Sequence, residues 1–135
     1  MSNEMLRSVI AVLVVAHGIG HILFLISSLG LADWGQSTRS WLLTDQIGDK
    51  RARAVGSLLW LGATAGFIVA GLAILAGWAW WRPLNIVSAA ISLLGLILFL
   101  SRRPTQPAVS AALFDAILLV WMAGLGWLPT SLAGV

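Results

Sequence analysis

The chain has 135 residues, of which 59% are hydrophobic and 10% are charged, with a formal net charge of +3. Soluble domains carry about 25% charged residues, and disordered chains combine low hydrophobicity with high net charge, so both classes are excluded. The eight Lys and Arg residues are spread between apolar segments, which excludes a continuous basic surface for nucleic acid. The absence of cysteine excludes disulfides and thiolate metal sites. This composition indicates an integral membrane protein.

Four apolar stretches, separated by charged residues, are long enough to cross a membrane. A helix with a rise of 1.5 Å per residue needs about 20 residues to cross a hydrocarbon core of about 30 Å. The stretches predict transmembrane helices over about residues 8–31, 54–80, 83–100 and 107–128. The predicted fold class is therefore all-α, an integral membrane bundle of four transmembrane helices that forms a single domain over residues 1–135.

Lys and Arg are distributed unequally between the two sides that four spans create. Six lie on one side, whereas only Arg7 and Arg82 lie on the other. By the positive-inside rule, the loops at about 31–53 and 101–107 are cytoplasmic and both termini lie outside. We therefore expect a multi-pass protein of a prokaryotic inner membrane. Six tryptophans fall near the predicted span ends, at the headgroup level that this side chain prefers: Trp34, Trp41, Trp78, Trp80, Trp81 and Trp127.

The first cytoplasmic loop is long enough to form structure of its own. Residues 37–43 mix polar, basic and aromatic side chains as an interfacial helix does, and Asp49 is a candidate N-cap of the second span. Lys50, Arg51 and Arg53 are candidates for binding anionic lipid headgroups, at about 1 kcal/mol each. A purely topological role for these three cations is the alternative interpretation.

Three ionisable residues lie inside predicted spans. His17 and His21 are the only histidines, and their spacing of four places both rings on one helical face. Asp115 lies within the fourth span, where a carboxylate costs about 2.5–3.5 kcal/mol on insertion scales. Counted from the cytoplasmic span ends, His21 lies about 15 Å deep and Asp115 about 12 Å deep. If the first and fourth spans are neighbours, these depths predict a His21–Asp115 hydrogen bond, with His17 about 6 Å further outside.

The third span adds a stripe of polar residues at spacings of three and four. Its members are Asn85, Ser88 and Ser92. The candidate proton- or ligand-binding residues are therefore the following: His17, His21, Asp115, Asn85, Ser88 and Ser92. Polar groups within a membrane interior are functional candidates by default, because their burial is costly.

Three interpretations of these residues are open. In the first, polar groups only hold helices together, and the protein is an accessory or scaffold subunit of a membrane complex. In the second, a histidine and a desolvated carboxylate exchange protons during transport or binding of a small ligand. In the third, His17, His21 and Asp115 hold a metal ion as a 2-His-1-carboxylate set in a membrane oxidoreductase. A haem-dependent version requires axial histidines from two copies, because residues one turn apart cannot ligate both faces. We favour the second interpretation.

Small residues mark the faces where helices approach closely. Gly62 and Gly66 form a Gly-x-x-x-Gly pattern in the second span. Gly18 and Gly20 flank the histidines, where they favour either close helix packing or space for a ligand. A bundle of four helices has little interior for a large substrate. We therefore expect the lipid bilayer and a homo-oligomer or larger membrane complex as partners, and no nucleic acid.

Overall fold

A computed structural model describes residues 2–124, and this range is built from helices without strands. Four of its helical segments are long and apolar enough to cross a membrane, which confirms the predicted fold class of a multi-pass, all-α bundle. The first span consists of α1 (Asn3–Gly20) and α2 (Ile22–Leu29), and a short helix, α3 (Thr44–Ile47), follows it. The second span is α4 (Asp49–Ala76), the third is α5 (Trp81–Leu98), and the fourth is α6 (Gln106–Leu119) with a π-helical turn, Val120–Gly124.

The helices begin before the predicted starts, and the first three spans end two to four residues before their predicted ends at 31, 80 and 100. α1 begins at Asn3 and α4 begins at Asp49, about five residues before the predicted starts at 8 and 54 in each case. The additional turns carry Arg7 and Arg53, whose long side chains remain polar at the tip while the backbone stays helical. The predicted end of the fourth span near residue 128, with Trp127, lies outside the described residues.

Neighbouring spans pack in the order of the sequence. α1 and α2 pack against α4, α4 packs against α5, and α5 packs against α6. Within the described residues, the first and fourth spans share no extended backbone packing. The bundle therefore has an open side between its first and fourth spans. We call the end of the bundle with residue 3 and the 77–80 turn the N-terminal end. The opposite end, with residues 30–48 and 99–105, is the loop end.

Arginines near helix N-termini bind the final carbonyl groups of adjacent antiparallel helices. At the N-terminal end, Arg7 donates through Nε to the carbonyl oxygen of Ile74 at 2.6 Å and through Nη2 to that of Leu75 at 2.9 Å. At the loop end, Arg53 donates through Nε and Nη2 to the carbonyl oxygen of Ser28 at 3.2 and 3.1 Å. These bonds satisfy carbonyl groups that a helix C-terminus leaves without partners.

Similar bonds occur at the end of the third span and at the last described turn of the fourth. Trp41 donates through Nε1 to the carbonyl oxygen of Ile97 at 2.7 Å, and Arg82 donates to the carbonyl oxygen of Met122. The last described turn of each span therefore bonds to a donor side chain from another part of the chain. A hydrogen bond of this kind is strongly favoured near lipid, where an unpaired carbonyl is costly.

The loop end differs from the sequence-based expectations at two points. Residues 37–40 are irregular and residues 41–43 form a turn, so no interfacial helix occurs there, and the one helical turn in this loop is α3. Ser40 and Thr44 hold the turn locally: the Ser40 N–H donates to Thr44 Oγ1 at 2.9 Å. Asp49 is the first residue of α4 rather than its N-cap, a position that Gly48 occupies with φ 84°. The Asp49 carboxylate instead lies in the first turn, where the helix dipole favours negative charge.

Two apolar clusters occupy the interior, one toward each end of the bundle. The cluster toward the N-terminal end includes Val14, Phe67, Ile74, Trp81, Leu118 and Met122. The cluster toward the loop end consists of Phe24, Trp60, Leu96, Phe99 and Ala111. His21 contacts Phe67 of the first cluster and Phe24 and Trp60 of the second. This buried histidine therefore lies between the two clusters, with apolar packing on either side.

The Gly-x-x-x-Gly face of the second span packs within the chain. A Cβ atom added at Gly66 would meet the Ser88 side chain, and one at Gly62 would lie 3.8 Å from Ile91 Cγ2. Both contacts are with α5. This face therefore serves the α4–α5 contact, the close backbone approach that small residues permit in membranes.

Candidate functional site

His17 and Asp115 join the first and fourth spans through a hydrogen bond. His17 Nε2 lies 2.8 Å from Asp115 Oδ1. The Asp115 side chain is fully buried, and the His17 side chain is 10% exposed. A buried carboxylate with an imidazole partner is the pairing that membrane interiors require of ionisable groups.

The predicted hydrogen bond between His21 and Asp115 is wrong, because His17 takes that place. The depth calculation assumed straight helices normal to the membrane with ends at matching levels. In the structure the first span is interrupted at His21, between α1 and α2. A separation of four residues also rotates one ring from the other by about 40° around the helix, so the two rings contact different neighbours.

His21 is directed toward the third span. Its Nδ1 lies 3.0 Å from the carbonyl oxygen of His17, and its Nε2 lies 2.5 Å from Ser92 Oγ. A carbonyl oxygen only accepts, so Nδ1 carries the hydrogen and donates. In the neutral ring Nε2 is then the acceptor, and the Ser92 hydroxyl donates to it. The polar contacts therefore extend from Asp115 through the two histidines to Ser92.

Aromatic side chains hold the two imidazole rings in place. The His17 ring stacks on Phe114 with centroids 4.0 Å apart, and it contacts Phe67 edge-on at 4.7 Å. The His21 ring meets Trp60 at 6.1 Å, and the two histidine rings lie 4.6 Å apart in an edge-to-face arrangement. These contacts leave the rings little rotational freedom, which favours a preorganised site.

The polar stripe of the third span is only partly joined to the histidines. Ser92 bonds to His21, whereas the Ser88 hydroxyl donates to the carbonyl oxygen of Leu84 at 2.7 Å. Asn85 is fully buried, and neither its Nδ2 nor its Oδ1 has a hydrogen-bond partner within residues 2–124. Ser92 is therefore the member of the stripe that belongs to the site.

Two further polar atoms within the spans, besides those of Asn85, have no hydrogen-bond partner in the described residues. Asp115 Oδ2 is buried without a partner in the described range, and so is the hydroxyl of Thr64. The sequence analysis did not select Thr64, which lies between Gly62 and Gly66 on the close-packing face. It also did not select Phe67 and Phe114, although Phe114 directly precedes Asp115.

A cleft of about 360 Å³ opens between the first and fourth spans, on the side where they do not pack. His17 and His21 lie in its lining, together with Gly20 and Ser110. The remainder of the lining is apolar: Leu13, Ala16, Leu23, Phe24, Pro107, Ala111 and Phe114. At the cleft the His17 side chain is 10% exposed on the outer side of the bundle, whereas His21 is 1% exposed.

The two glycines beside the histidines have different roles. A Cβ atom added at Gly18 would lie 2.9 Å from Phe67 Cβ and 3.1 Å from the Thr64 carbonyl oxygen. A Cβ atom added at Gly20 would meet no heavy atom within 4 Å. Gly18 therefore permits close contact with α4, whereas Gly20 leaves space in the cleft.

Three side chains offer a donor set for a metal ion. One ligand atom each from His17, His21 and Asp115 lie within 4.8 Å of one another. Two imidazole nitrogens and a carboxylate oxygen suit zinc, iron and other first-row transition ions. For His21 to bind a metal through Nε2, the Ser92 hydroxyl must move away from that nitrogen.

The three candidate headgroup cations differ in exposure. Lys50 and Arg51 are exposed on the first turn of α4, whereas Arg53 is half-buried and bonded to the Ser28 carbonyl oxygen. Lys50 and Arg51 are thus free to meet a headgroup, and Arg53 also serves the end of the first span. Binding of anionic lipid by these residues stays a prediction.

Comparisons with known proteins provide no further assignment of this site. No protein-family model, no curated protein sequence and no solved structure matches the chain. The function is therefore argued from the residues and the geometry of the cleft.

Proposed function

We propose that the protein binds a small, lipid-soluble ligand in the cleft between its first and fourth spans. The proposal rests on the presence of His17 and His21 in the lining of a largely apolar cleft. Small-molecule sites typically have volumes of about 300–1,000 Å³ and mostly apolar walls with a few polar groups. The volume of about 360 Å³ lies within this range.

The chemistry of the lining indicates the class of ligand. His17 presents a partly exposed ring, and Ser110 contributes a hydroxyl to the same lining. Leu13, on the rim, is 53% exposed toward the lipid, so the hydrocarbon region is the direct route of entry. The ligand is a compact apolar molecule with one carbonyl or hydroxyl group that bonds to His17.

Binding at His17 acts on a shared proton. His17 Nε2 and Asp115 Oδ1 are close enough to hold one hydrogen between them, and an imidazole and a carboxylate can each carry that hydrogen. A ligand that bonds to the His17 ring changes how this proton is shared. Ligand binding is therefore coupled to proton uptake or release, which is the requirement for proton-linked transport.

The direct test is native mass spectrometry of the protein released gently from its own membrane, followed by extraction of co-purified small molecules. We expect a stoichiometric organic mass on the wild-type protein and its loss from His17→Ala and Asp115→Asn. Leu58→Ala changes a residue that is 70% exposed on α4 and is the matched control. A wild-type protein without such a mass, or equal masses in the site variants, contradicts the proposal.

Proton coupling is tested separately in proteoliposomes that contain a pH-sensitive dye. The extracted compound is expected to change the internal pH with wild-type protein and not with Asp115→Asn, since the amide cannot exchange the proton. If the compound binds the wild-type protein but leaves the internal pH unchanged, binding is retained and proton-linked transport is abandoned.

Metal binding is a second candidate function, supported by the 4.8 Å grouping of donor atoms from His17, His21 and Asp115. Addition of Co²⁺ to the purified protein is expected to produce visible absorption at one ion per chain. His17→Ala and His21→Ala should remove the absorption, and Asn85→Ala, in the same span as Ser92, should retain it. Equal absorption in all variants indicates binding elsewhere and rejects this candidate.

We also propose that the protein resides in a prokaryotic inner membrane with both termini outside. The excess of Lys and Arg at the loop end supports this orientation. The cleft between the first and fourth spans, which share no extended backbone packing within the described residues, supports assembly as a homo-oligomer or within a larger complex. The same mass spectrum reports copy number, and a mass that includes other polypeptides favours the accessory-subunit interpretation.

A further inference from the structure

A second cavity lies near the loop end, apart from the cleft that contains the histidines. Its volume is about 330 Å³, and its walls come from α5, α6 and the loop segments 35–37 and 99–105. Leu93, Leu96, Val109 and Ala112 are among its apolar lining residues, and Trp60 closes part of it from α4. The part of the wall formed by residues 105–113 is about 12 Å long, at a helical rise of 1.5 Å per residue. This shape suits one straight, medium-length hydrocarbon chain.

One polar side chain at this cavity has an unused hydrogen-bond donor. Gln36 is part of the lining, and its Oε1 accepts a hydrogen bond from Thr105 Oγ1 at 2.7 Å. Its Nε2 is buried and has no partner among the described residues. A buried amide donor without a partner is destabilising, so an acceptor from a bound molecule is strongly favoured.

The segment around Gln36 is held against the start of the fourth span. The Gly35 N–H donates to Asp33 Oδ1 at 2.8 Å, and Gly35 has a positive φ of 77°. A Cβ atom at Gly35 would lie 3.7 Å from Thr105 Cγ2. This local turn, together with the Thr105 hydrogen bond, fixes the position of the Gln36 amide at the cavity.

The charges beside the cavity indicate the character of the acceptor. Ser101 and Pro104 belong to the lining, and the two residues between them, Arg102 and Arg103, are exposed cations. An anionic head is attracted to such cations at the membrane surface. A carboxylate also accepts hydrogen bonds from an amide donor more strongly than a neutral group does.

We propose that this cavity binds a single acyl chain whose carboxylate accepts a hydrogen bond from Gln36 Nε2. The hydrocarbon chain lies between α5 and α6 and reaches Trp60, and Arg102 and Arg103 attract the carboxylate to the loop end. An ester carbonyl on a phospholipid acyl chain presents the same acceptor chemistry. The source of the chain is therefore either a free fatty acid or a membrane phospholipid, and the experiment distinguishes them.

The experiment uses quenching of tryptophan fluorescence by ω-bromodecanoate added to the purified full-length protein. We expect saturable quenching that Trp60→Phe largely removes, because bromine quenches only at contact and Trp60 lines the cavity. Gln36→Leu should raise the apparent Kd about tenfold, because it removes a hydrogen bond to a charged group. Ala112→Phe, which fills the cavity, should abolish the saturable component, and Leu58→Phe on the exposed face of α4 is its size-matched control.

Bromodecane and phospholipids with brominated chains complete the design. Bromodecane should bind more weakly than ω-bromodecanoate to the wild type, and equally to the wild type and Gln36→Leu. If brominated phospholipid quenches Trp60 and decanoate does not displace it, the source of the chain is a phospholipid. If decanoate displaces it, the source is a free fatty acid. Equal quenching in Ala112→Phe and the wild type, or equal affinity for bromodecane and ω-bromodecanoate, overturns the proposal. Folding of each variant is checked by helical circular dichroism.

Discussion

At the residue scale, the central feature is a carboxylate that is fully buried inside a membrane bundle. Asp115 obtains one partner, His17, and retains an unpaired Oδ2 in the described structure. An insertion cost of about 2.5–3.5 kcal/mol exceeds the value of a typical interhelical hydrogen bond in a membrane, about 0.6 kcal/mol on average. The pair therefore offsets only part of the cost of burying Asp115. This imbalance favours a role in binding over a purely structural one.

The energy of the pair is measurable by a double-mutant cycle of His17→Ala and Asp115→Ala. We expect a coupling energy of about 0.5–2 kcal/mol, because each single change removes the same hydrogen bond. The measurement is the free energy of unfolding in detergent micelles. A cycle of Asp115→Ala with Leu58→Ala on the exposed face should be additive. Additivity in the His17 cycle contradicts the hydrogen bond.

Sequence reasoning identified the ionisable residues of the site but not their pairing. His17, His21 and Asp115 are recognisable because charges are rare within apolar spans. The partner of Asp115 depends on the break in the helix at His21 and on the rotation between the two rings. Both are consequences of packing, so a count of residues from the span ends gave the wrong histidine. No signal in the sequence alone marks Thr64 as a residue with an unused hydroxyl.

At the element scale, the arginines do more than set the orientation of the chain in the membrane. Arg7, Arg53 and Arg82 each bond to the carbonyl groups at the end of a neighbouring helix. Arg7 and Arg82 are the two cations that the positive-inside rule places on the side with fewer charges. Their bonds to helix ends explain the presence of arginine there, since a guanidinium offers several donors in a fixed plane.

The contribution of such a contact is tested by Arg53→Ala. We expect a loss of about 1–3 kcal/mol in the free energy of unfolding, because the Ser28 carbonyl oxygen loses its hydrogen bonds from a charged donor. Arg53→Lys should recover part of the loss, since an ammonium group donates from a single point. Arg102→Ala, which removes an exposed arginine at the same end, is the control. Equal stability of Arg53→Ala and Arg102→Ala argues against the contact.

The contact between the first and second spans is tested by a pair of glycine substitutions. Gly18→Ala places a methyl group 2.9 Å from Phe67 Cβ and should cost about 1–3 kcal/mol through overpacking. Gly20→Ala enters open space and should change the stability by less than about 0.5 kcal/mol. Thermal unfolding in detergent provides the comparison. Equal midpoints for the two variants are incompatible with the close packing at Gly18.

At the scale of the whole molecule, the order of packing creates the candidate site. The first and fourth spans lie on either side of the cleft, and the His17–Asp115 bond crosses between them. His21 lies between the two apolar clusters. The partly exposed His17 side chain lies at the cleft on the outer side of the bundle, which agrees with a lipid-soluble ligand.

The proposed orientation is tested with single cysteines, because the natural chain has none. Asn3→Cys and Gln46→Cys place thiols at exposed positions on opposite ends of the bundle. In intact bacterial cells, a membrane-impermeant maleimide should label Asn3→Cys and should label Gln46→Cys only after permeabilisation. The reverse pattern places the loop end outside and rejects the orientation that the charge distribution predicts.

The sequence by itself determined that the chain crosses a membrane four times and which residues are ionisable within the spans. Both follow from local properties, the length of apolar stretches and the rarity of charge inside them. Only the tertiary structure decided that His17 bonds to Asp115, that His21 bonds to Ser92, and that a cleft opens beside them. These features depend on which spans are neighbours and on how each helix is rotated. Apolar residues on every face of a membrane helix conceal that rotation, because lipid and protein interior are equally apolar surroundings.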